Sequence, residues 1–207
     1  VFDPAGGSGN LVSSWRGKLK HKIVSELQPD LLRTIERRMK ADPFHIEHGF
    51  TIIPKTTQNV GLNFLDRSAA DYLAELKKAV KASTDMDIDK PIAFLLNPHY
   101  KNTDEKQEKR EQTESHYDIH PSIIELTGED AGKERYLAFL GQILNIAHEQ
   151  EKENHKLKPV VMIFTPTSWL IPRPTYAKFR KTWDKYFKFD SGFIVTSNEW
   201  FKLDGKW

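Results

Sequence analysis

Three glycines are set into the segment Asp3-Pro4-Ala5-Gly6-Gly7-Ser8-Gly9-Asn10, between a short apolar start and a stretch whose apolar residues recur at helical spacing. A turn of this kind lets the backbone come close to a ligand, because glycine has no Cβ, and the helix after it offers unpaired N–H groups. A second segment, Asn97-Pro98-His99-Tyr100, follows the apolar run 91–96. There an amide oxygen and a proline carbonyl can accept the protons of a planar amine, and an aromatic ring can stack on it. Between the two, Glu26 ends the next apolar run, where a carboxylate can accept both hydroxyl protons of a ribose. The chemistry these residues suit is methyl transfer from an adenosyl sulfonium cofactor to an amino nitrogen. A dinucleotide fingerprint G-x-G-x-x-G fits less well, because Val12 stands where the last glycine or alanine belongs.

To position these residues the chain has to alternate strands and helices. Residues 1–3 read as a first strand, and Leu11, Val12, Trp15 and Leu19 as the face of the first helix. Ile23 and Val24 form a second buried strand. Pro29 suits the first turn of a helix with Leu31, Leu32, Ile35 and Met39 inward, which Asp42-Pro43 ends. Residues 50–53 and 60–65 are both candidate strands. Ser68 to Asp71 has the spacing of a capping box and opens a helix with Ala69, Tyr72, Leu73, Leu76 and Val80 inward. The run 91–96 is apolar throughout, as in a strand covered on both faces. A helix over 136–147, a buried strand over 159–164, a basic amphipathic helix over 176–187 and a last strand over 192–196 complete the pattern. The fold class this predicts is α/β, a parallel sheet with helices on both faces and a crevice at the strand ends.

These residues resemble the amino-group DNA methyltransferases that modify adenine, in the order with the cofactor motif first. Residues 3–10 look like that family's D-P-A-x-G-S-G-N motif, Glu26 matches its ribose-binding acid, and Asn97-Pro98-His99-Tyr100 is similar to its N-P-P-Y motif. Thr165-Pro166-Thr167-Ser168, after the run 160–164, looks like its later strand end. The resemblance implies a Rossmann-like class I methyltransferase core and S-adenosyl-L-methionine as cofactor. It assigns the cofactor to Asp3, Pro4, Ala5, Gly6, Gly7, Gly9, Asn10, Glu26, Asn63 and Phe64. Asn97, Pro98 and Tyr100 become the catalytic residues. The partner is duplex DNA with a flipped adenine, in a cytoplasmic restriction–modification system, with restriction or specificity subunits or domains as further partners and no membrane. Residues 1–96 are then the cofactor-binding half, 97–133 the catalytic turn and a charged loop, and 134–207 the target-side half.

In that family mechanism the Asn side-chain oxygen and the next carbonyl accept hydrogen bonds from the amine, which frees its lone pair, while the aromatic ring stacks on the extruded base. Three departures stand out. His99 replaces the second proline of the motif. Asn63 stands where the family has an aspartate, with Asp66 the alternative for that place. No element precedes the first strand. The N-P-P-Y motif is shared with glutamine and RNA methylases, so those acceptors stay open, as does a non-catalytic module that positions DNA or a partner.

The bulk composition narrows little else. The 207 residues carry 31 basic and 29 acidic side chains, so any basic footprint has to be local. The absence of cysteine excludes disulfides, thiolate metal sites and cysteine nucleophiles, and fits a reducing cytosol. No run is long and apolar enough to span a bilayer. Opening without methionine on a buried-strand pattern, the chain reads as a piece of a larger protein, with a target-recognition domain expected beyond Trp207. The polar stretch 101–114 reads as a mobile loop that meets the target. His116, Asp118 and His120 have a spacing weakly suited to a metal. His45 and His48 read as surface or half-buried residues. Trp183, Tyr186, Phe187 and Phe189 read as core. Lys178, Arg180, Lys181, Lys185 and Lys188 read either as phosphate contacts or as a solvated helix face.

Overall fold

The computed structural model of the chain describes residues 1–17, 21–98, 119–132, 134–154 and 158–196. Five strands form one parallel sheet: β1 Phe2–Asp3, β2 Lys22–Ser25, β3 Phe50–Ile53, β4 Ala93–Leu96 and β5 Val160–Ile163. Their order is β3-β2-β1-β4-β5. The chain builds outward in one direction from β1, then returns to its other side, so the order reverses between β1 and β4. This all-parallel α/β arrangement is compatible with a Rossmann-like fold.

Alternation along β2 shows how both faces are covered. Val24 packs with Val12, Ile35 and Met39 of α1 Asn10–Ser14 and α2 Pro29–Ala41. Its neighbour Ile23 points the other way, into a core with Leu73 and Leu76 of α4 Ala69–Thr84 and Ile143 and Ile146 of α7 Arg135–Glu153. Phe2 sits in this second core with Phe64, Tyr72 and Phe94, their ring centroids about 6 Å from its own. A third cluster joins Leu137 and Leu140 to Trp169, Tyr176 and Phe179, seating α8 Pro174–Tyr186 on α7. Short helices α3 Pro43–His48, α5 Pro121–Thr127 and α6 Glu129–Gly132 fill the connections. Among the described residues, no helix is long and apolar enough to cross a membrane.

The caps follow the residue chemistry. Ser68 Oγ accepts the Asp71 N–H at 3.1 Å and donates to the Asp71 carboxylate at 2.6 Å, so the hydroxyl caps the helix and Asp71 holds the hydroxyl in place. Asp42 ends α2, and its side chain accepts the Phe44 N–H at 3.0 Å to start α3.

Several expectations are corrected. The first helix stops at Ser14, and Trp15 is extended, because side chains rather than further helical N–H groups take its last carbonyls. Residues 60–65 form no strand: Leu62 N–H bonds to Glu26 O at 2.9 Å and the chain then turns under the Asn63 side chain. The strand over 160–163 is half exposed, since it pairs only with β4 among the described residues. Residues 192–196 are not a strand, and Phe193 and Ile194 stand 78 % and 84 % exposed. His45 is buried, and Phe189, expected in the core, is exposed. Residues 101–114, His116 and Asp118 lie outside the described residues, and His120 caps α5 by accepting the Ser122 N–H.

Candidate functional site

The site lies at the carboxyl ends of β1 and β2, beside the reversal of strand order between β1 and β4. Phe2 pairs with Phe94. β1 and β4 are therefore neighbours, and the glycine turn and the Asn-Pro turn follow them at the same edge of the sheet. Neighbouring strands lie about 4.8 Å apart. Phe164 N–H donates to Leu96 O at 3.1 Å, bringing the chain after β5 to the same edge.

The glycine turn is held by β2. Gly6 N–H donates to Ser25 O at 3.0 Å, and Ser25 Oγ donates to Pro4 O at 3.1 Å while meeting the Tyr72 hydroxyl at 2.6 Å. A Cβ at Gly6 would fall 2.5 Å from Val24 Cγ1, so turn and strand can touch this closely only with glycine there. Gly7 and Gly9 have φ of +52° and +81°, and Gly9 is the N-cap of α1. Asn10 opens the helix, with its side-chain oxygen on Arg38 of α2.

Two buried carboxylates flank the turn. Glu26 is 5 % exposed; its Oε2 accepts Gly7 N–H at 2.7 Å, and its Oε1 accepts the Leu27 and Gln28 N–H groups at 2.8 and 3.2 Å. Asp3 is 1 % exposed, and its Oδ1 accepts Ala5 N–H at 3.1 Å. Burial pushes the Asp3 carboxyl up to about 7; the Ala5 N–H opposes that shift and the nearby Glu26 adds to it.

A cleft opens beside them, lined by Pro4, Ala5, Glu26, Asn63, Phe64 and, on α7, Phe139 and Arg135, among others. Its volume is about 40 Å³. Phe64 and Phe139 stack at 5.3 Å along one wall. The Asn63 wall crosses the Leu27 wall so closely that a Cβ at Gly61 would fall 1.5 Å from Leu27 O. Asn63 Oδ1 accepts Leu65 N–H at 2.9 Å, which turns the loop and leaves Asn63 facing the cleft. Asp66, the alternative for that place, is exposed, ion-paired with Arg67 at 2.9 Å and absent from the lining.

Pro4, Ala5, Glu26, Asn63 and Phe64 are therefore gathered in one cleft. Gly6, Gly9 and Asn10 serve the packing of the turn on α2. Asn97 is exposed at the end of β4 and Pro98 buried behind it. His99 and Tyr100 lie outside the described residues.

Sequence reasoning missed the supports. Gln142 is fully buried, and its Nε2 donates to Phe64 O at 3.1 Å and Arg67 O at 3.0 Å, fixing the cleft loop on α7. Its only signal was an amide in an otherwise apolar helix. Beneath α1 lies a second cluster. Lys22, 1 % exposed, donates to Val12 O at 2.7 Å, Trp15 O at 2.5 Å and His45 Nδ1 at 3.2 Å. His45 Nε2 lies 3.1 Å from Ser13 O and 3.3 Å from the Arg16 guanidinium, so the ring joins this cluster to the end of α1. Arg16 adds a bond to Ser13 O at 2.9 Å, pairs with Asp42 and lies 4.6 Å over the Phe44 ring. Burial first, then the neighbouring cation, holds His45 below its usual value. These donors take the carbonyls at the end of a five-residue helix whose other end is the glycine turn.

Among the described residues no group of His, Asp or Glu is arranged to hold a metal ion. No protein-family model, no curated protein and no solved structure matches the chain.

Proposed function

We propose that this chain is the modification core of a restriction–modification protein, transferring a methyl group from S-adenosyl-L-methionine to the exocyclic amine of adenine in DNA. The observation that supports this reading is the adjacency of β1 and β4 at the reversal of strand order, where the glycine turn and the Asn-Pro turn leave the same edge of the sheet. The cysteine-free composition fits a reducing, cytoplasmic setting.

The residues suit the cofactor. Glu26 and Asn63 offer hydrogen-bonding oxygens for a ribose and a purine edge, and Phe64 and Phe139 give an apolar wall. When bound, S-adenosyl-L-methionine supplies an electrophilic methyl group on a sulfonium. Asn97 Oδ1 and the Pro98 carbonyl accept the two protons of the target amine, turning its lone pair toward the cofactor side. Tyr100 stacks on the extruded base, contributing roughly 1–3 kcal/mol against the cost of unstacking it. The acceleration comes mainly from holding the amine in line.

A specific observation favours a second reading, a non-catalytic methylase-like module. Both Glu26 oxygens already hold backbone N–H groups, which gives the acid a structural role without any ligand. Tritiated-methyl incorporation separates the readings, with duplex DNA, RNA and glutamine-bearing protein as competing acceptors. Label in adenine of DNA is the expected result. Label in RNA or protein alone moves the acceptor, and cofactor binding without label in any acceptor gives the non-catalytic module.

A further inference from the structure

We infer that the solvent face of α8 is a contact surface for the phosphate backbone of duplex DNA. Residues 173–190 carry Arg173, Lys178, Arg180, Lys181, Lys185 and Lys188 against Asp184 and Asp190, a local charge of +4. The whole chain is +2, so the remainder is net negative and the basic character is concentrated here. A local basic face on a nearly neutral protein is the electrostatic footprint of a polyanion site.

The placement of the charges strengthens this. Tyr176 and Phe179 bury one side of α8 against α7. At 100° per residue, Lys178, Lys181 and Lys185 fall together on the opposite side, and all three are exposed. Four helical lysines elsewhere stand against carboxylates, Lys40 on Glu36, Lys77 on Glu153, Lys81 on Asp87 and Lys152 on Glu149. On α8 the one helical acid, Asp184, is taken by Arg180 at 3.1 Å, and Lys178, Lys181 and Lys185 have no acidic partner among the described residues. Successive lysines here rise about 4.5 and about 6 Å along the helix axis, and each phosphate contact they make would release a counterion. The chain leading to α8 leaves the sheet beside Leu96, at the Asn97 edge, so this surface is continuous in sequence with the proposed target side.

The inference rests on DNA being the acceptor named above, but its readout is independent of methyl transfer. Binding of a short fluorescent duplex is measured by anisotropy between about 50 and 200 mM salt, for the wild type, for Lys178→Gln/Lys181→Gln/Lys185→Gln, and for Lys40→Gln/Lys77→Gln/Lys152→Gln. Both triple variants lose the same net charge. The α8 variant should lower the slope of log K against log salt by about 2 to 3, at about 0.9 per phosphate lost, and arginine at the three positions should restore it. The second triple should keep the wild-type slope. Equal slopes in the wild type and the α8 variant, an equal loss in both triples, or no duplex binding by the wild type would each overturn the surface. Duplex binding with the expected slopes but no methyl transfer would keep the surface and remove the enzymatic reading.

Discussion

Gly7 N–H donates to Oε2 of Glu26 over 2.7 Å, so the cofactor-type turn and the acid at the end of β2 form one hydrogen-bonded unit. An ionised carboxylate has about four acceptor sites, and the Gly7, Leu27 and Gln28 N–H groups occupy three of them. A ribose would share the carboxylate with the turn or displace Gly7 from it. Glu26→Ala should therefore weaken binding of S-adenosyl-homocysteine at least tenfold, about 1.4 kcal/mol. It should also lower unfolding stability by about 1–3 kcal/mol, since buried N–H groups lose their acceptor. Calorimetry and urea unfolding on the same variant read the two effects. Unchanged affinity with lowered stability would reduce Glu26 to a brace for the turn.

Asp3 predicts a pH dependence of defined sign. Its folded carboxyl titrates near 7, above the ordinary 3.8, mainly because it is buried. The folded state thus holds a proton that the unfolded chain has released. The stability this contributes is full below about pH 4 and is lost as pH rises through about 7. Asp3→Asn should flatten that decline and make the protein more stable than wild type near pH 8, measured by urea unfolding at about pH 5 and about pH 8. A cationic ligand favours the ionised carboxyl, so affinity for the sulfonium cofactor should rise over the same window in the wild type and be weak at both pH values in Asp3→Asn. A variant that binds as well as wild type would place the cation elsewhere.

The elements legible in the sequence were those whose signal is local. Ser68 and Asp71 marked a helix start, Pro29 another, and the apolar run 91–96 a covered strand, because each depends on its own neighbours. The meeting of Pro4, Ala5 and Glu26 followed from strands alternating with helices, since the ends of parallel strands meet at one edge. What was not legible depends on long-range partners. Lys22 opens a strand and reads as a surface lysine, but three acceptors from α1 and α3 make its burial tolerable. Residues 60–65 have strand composition, and only the close crossing of Gly61 over Leu27 and the Asn63 turn explain why they form a wall instead. Residues 192–196 have the pattern of a strand but lack a pairing partner among the described residues.

Lys22 tests whether the cluster under α1 positions the glycine turn. Helices of five residues are marginal without outside support, and here Lys22, Arg16 and His45 hold the terminal carbonyls. Burial, with Arg16 nearby, lowers the Lys22 ammonium to about 8 from 10.5, and Asp42 opposes the shift. The folded state then binds fewer protons than the unfolded chain between these values, so this group's contribution to stability rises with pH from about 8 toward 10.5. Lys22→Met should remove that rise and relieve the burial of a charge, leaving global stability within about 1–2 kcal/mol of wild type. Locally, amide exchange of Asn10–Ser14 should quicken and S-adenosyl-homocysteine affinity should fall several-fold. Exchange and affinity both at wild-type values would show that the turn is set by Ser25 and Glu26 alone.

Asn97 carries the chemical assignment, so its variants separate the chemical step from cofactor binding. It is exposed at the end of β4, outside the lining of the cleft that gathers Glu26 and Asn63. Asn97→Ala in the intact parent protein should abolish methyl transfer while leaving cofactor affinity nearly unchanged, because an interaction with the target amine acts on the chemical step. Tyr100→Ala should instead weaken capture of the extruded base, raising KM and also lowering kcat, since a poorly stacked base is held out of line. His99→Pro should leave activity equal or higher, provided the backbone there already has φ near −65°. Tritiated-methyl incorporation into duplex DNA, run beside calorimetry with S-adenosyl-homocysteine, reads all three. Full activity in Asn97→Ala would remove the residue from the reaction, and a parallel loss of cofactor affinity would mean that Asn97 shapes the cleft instead of receiving the amine.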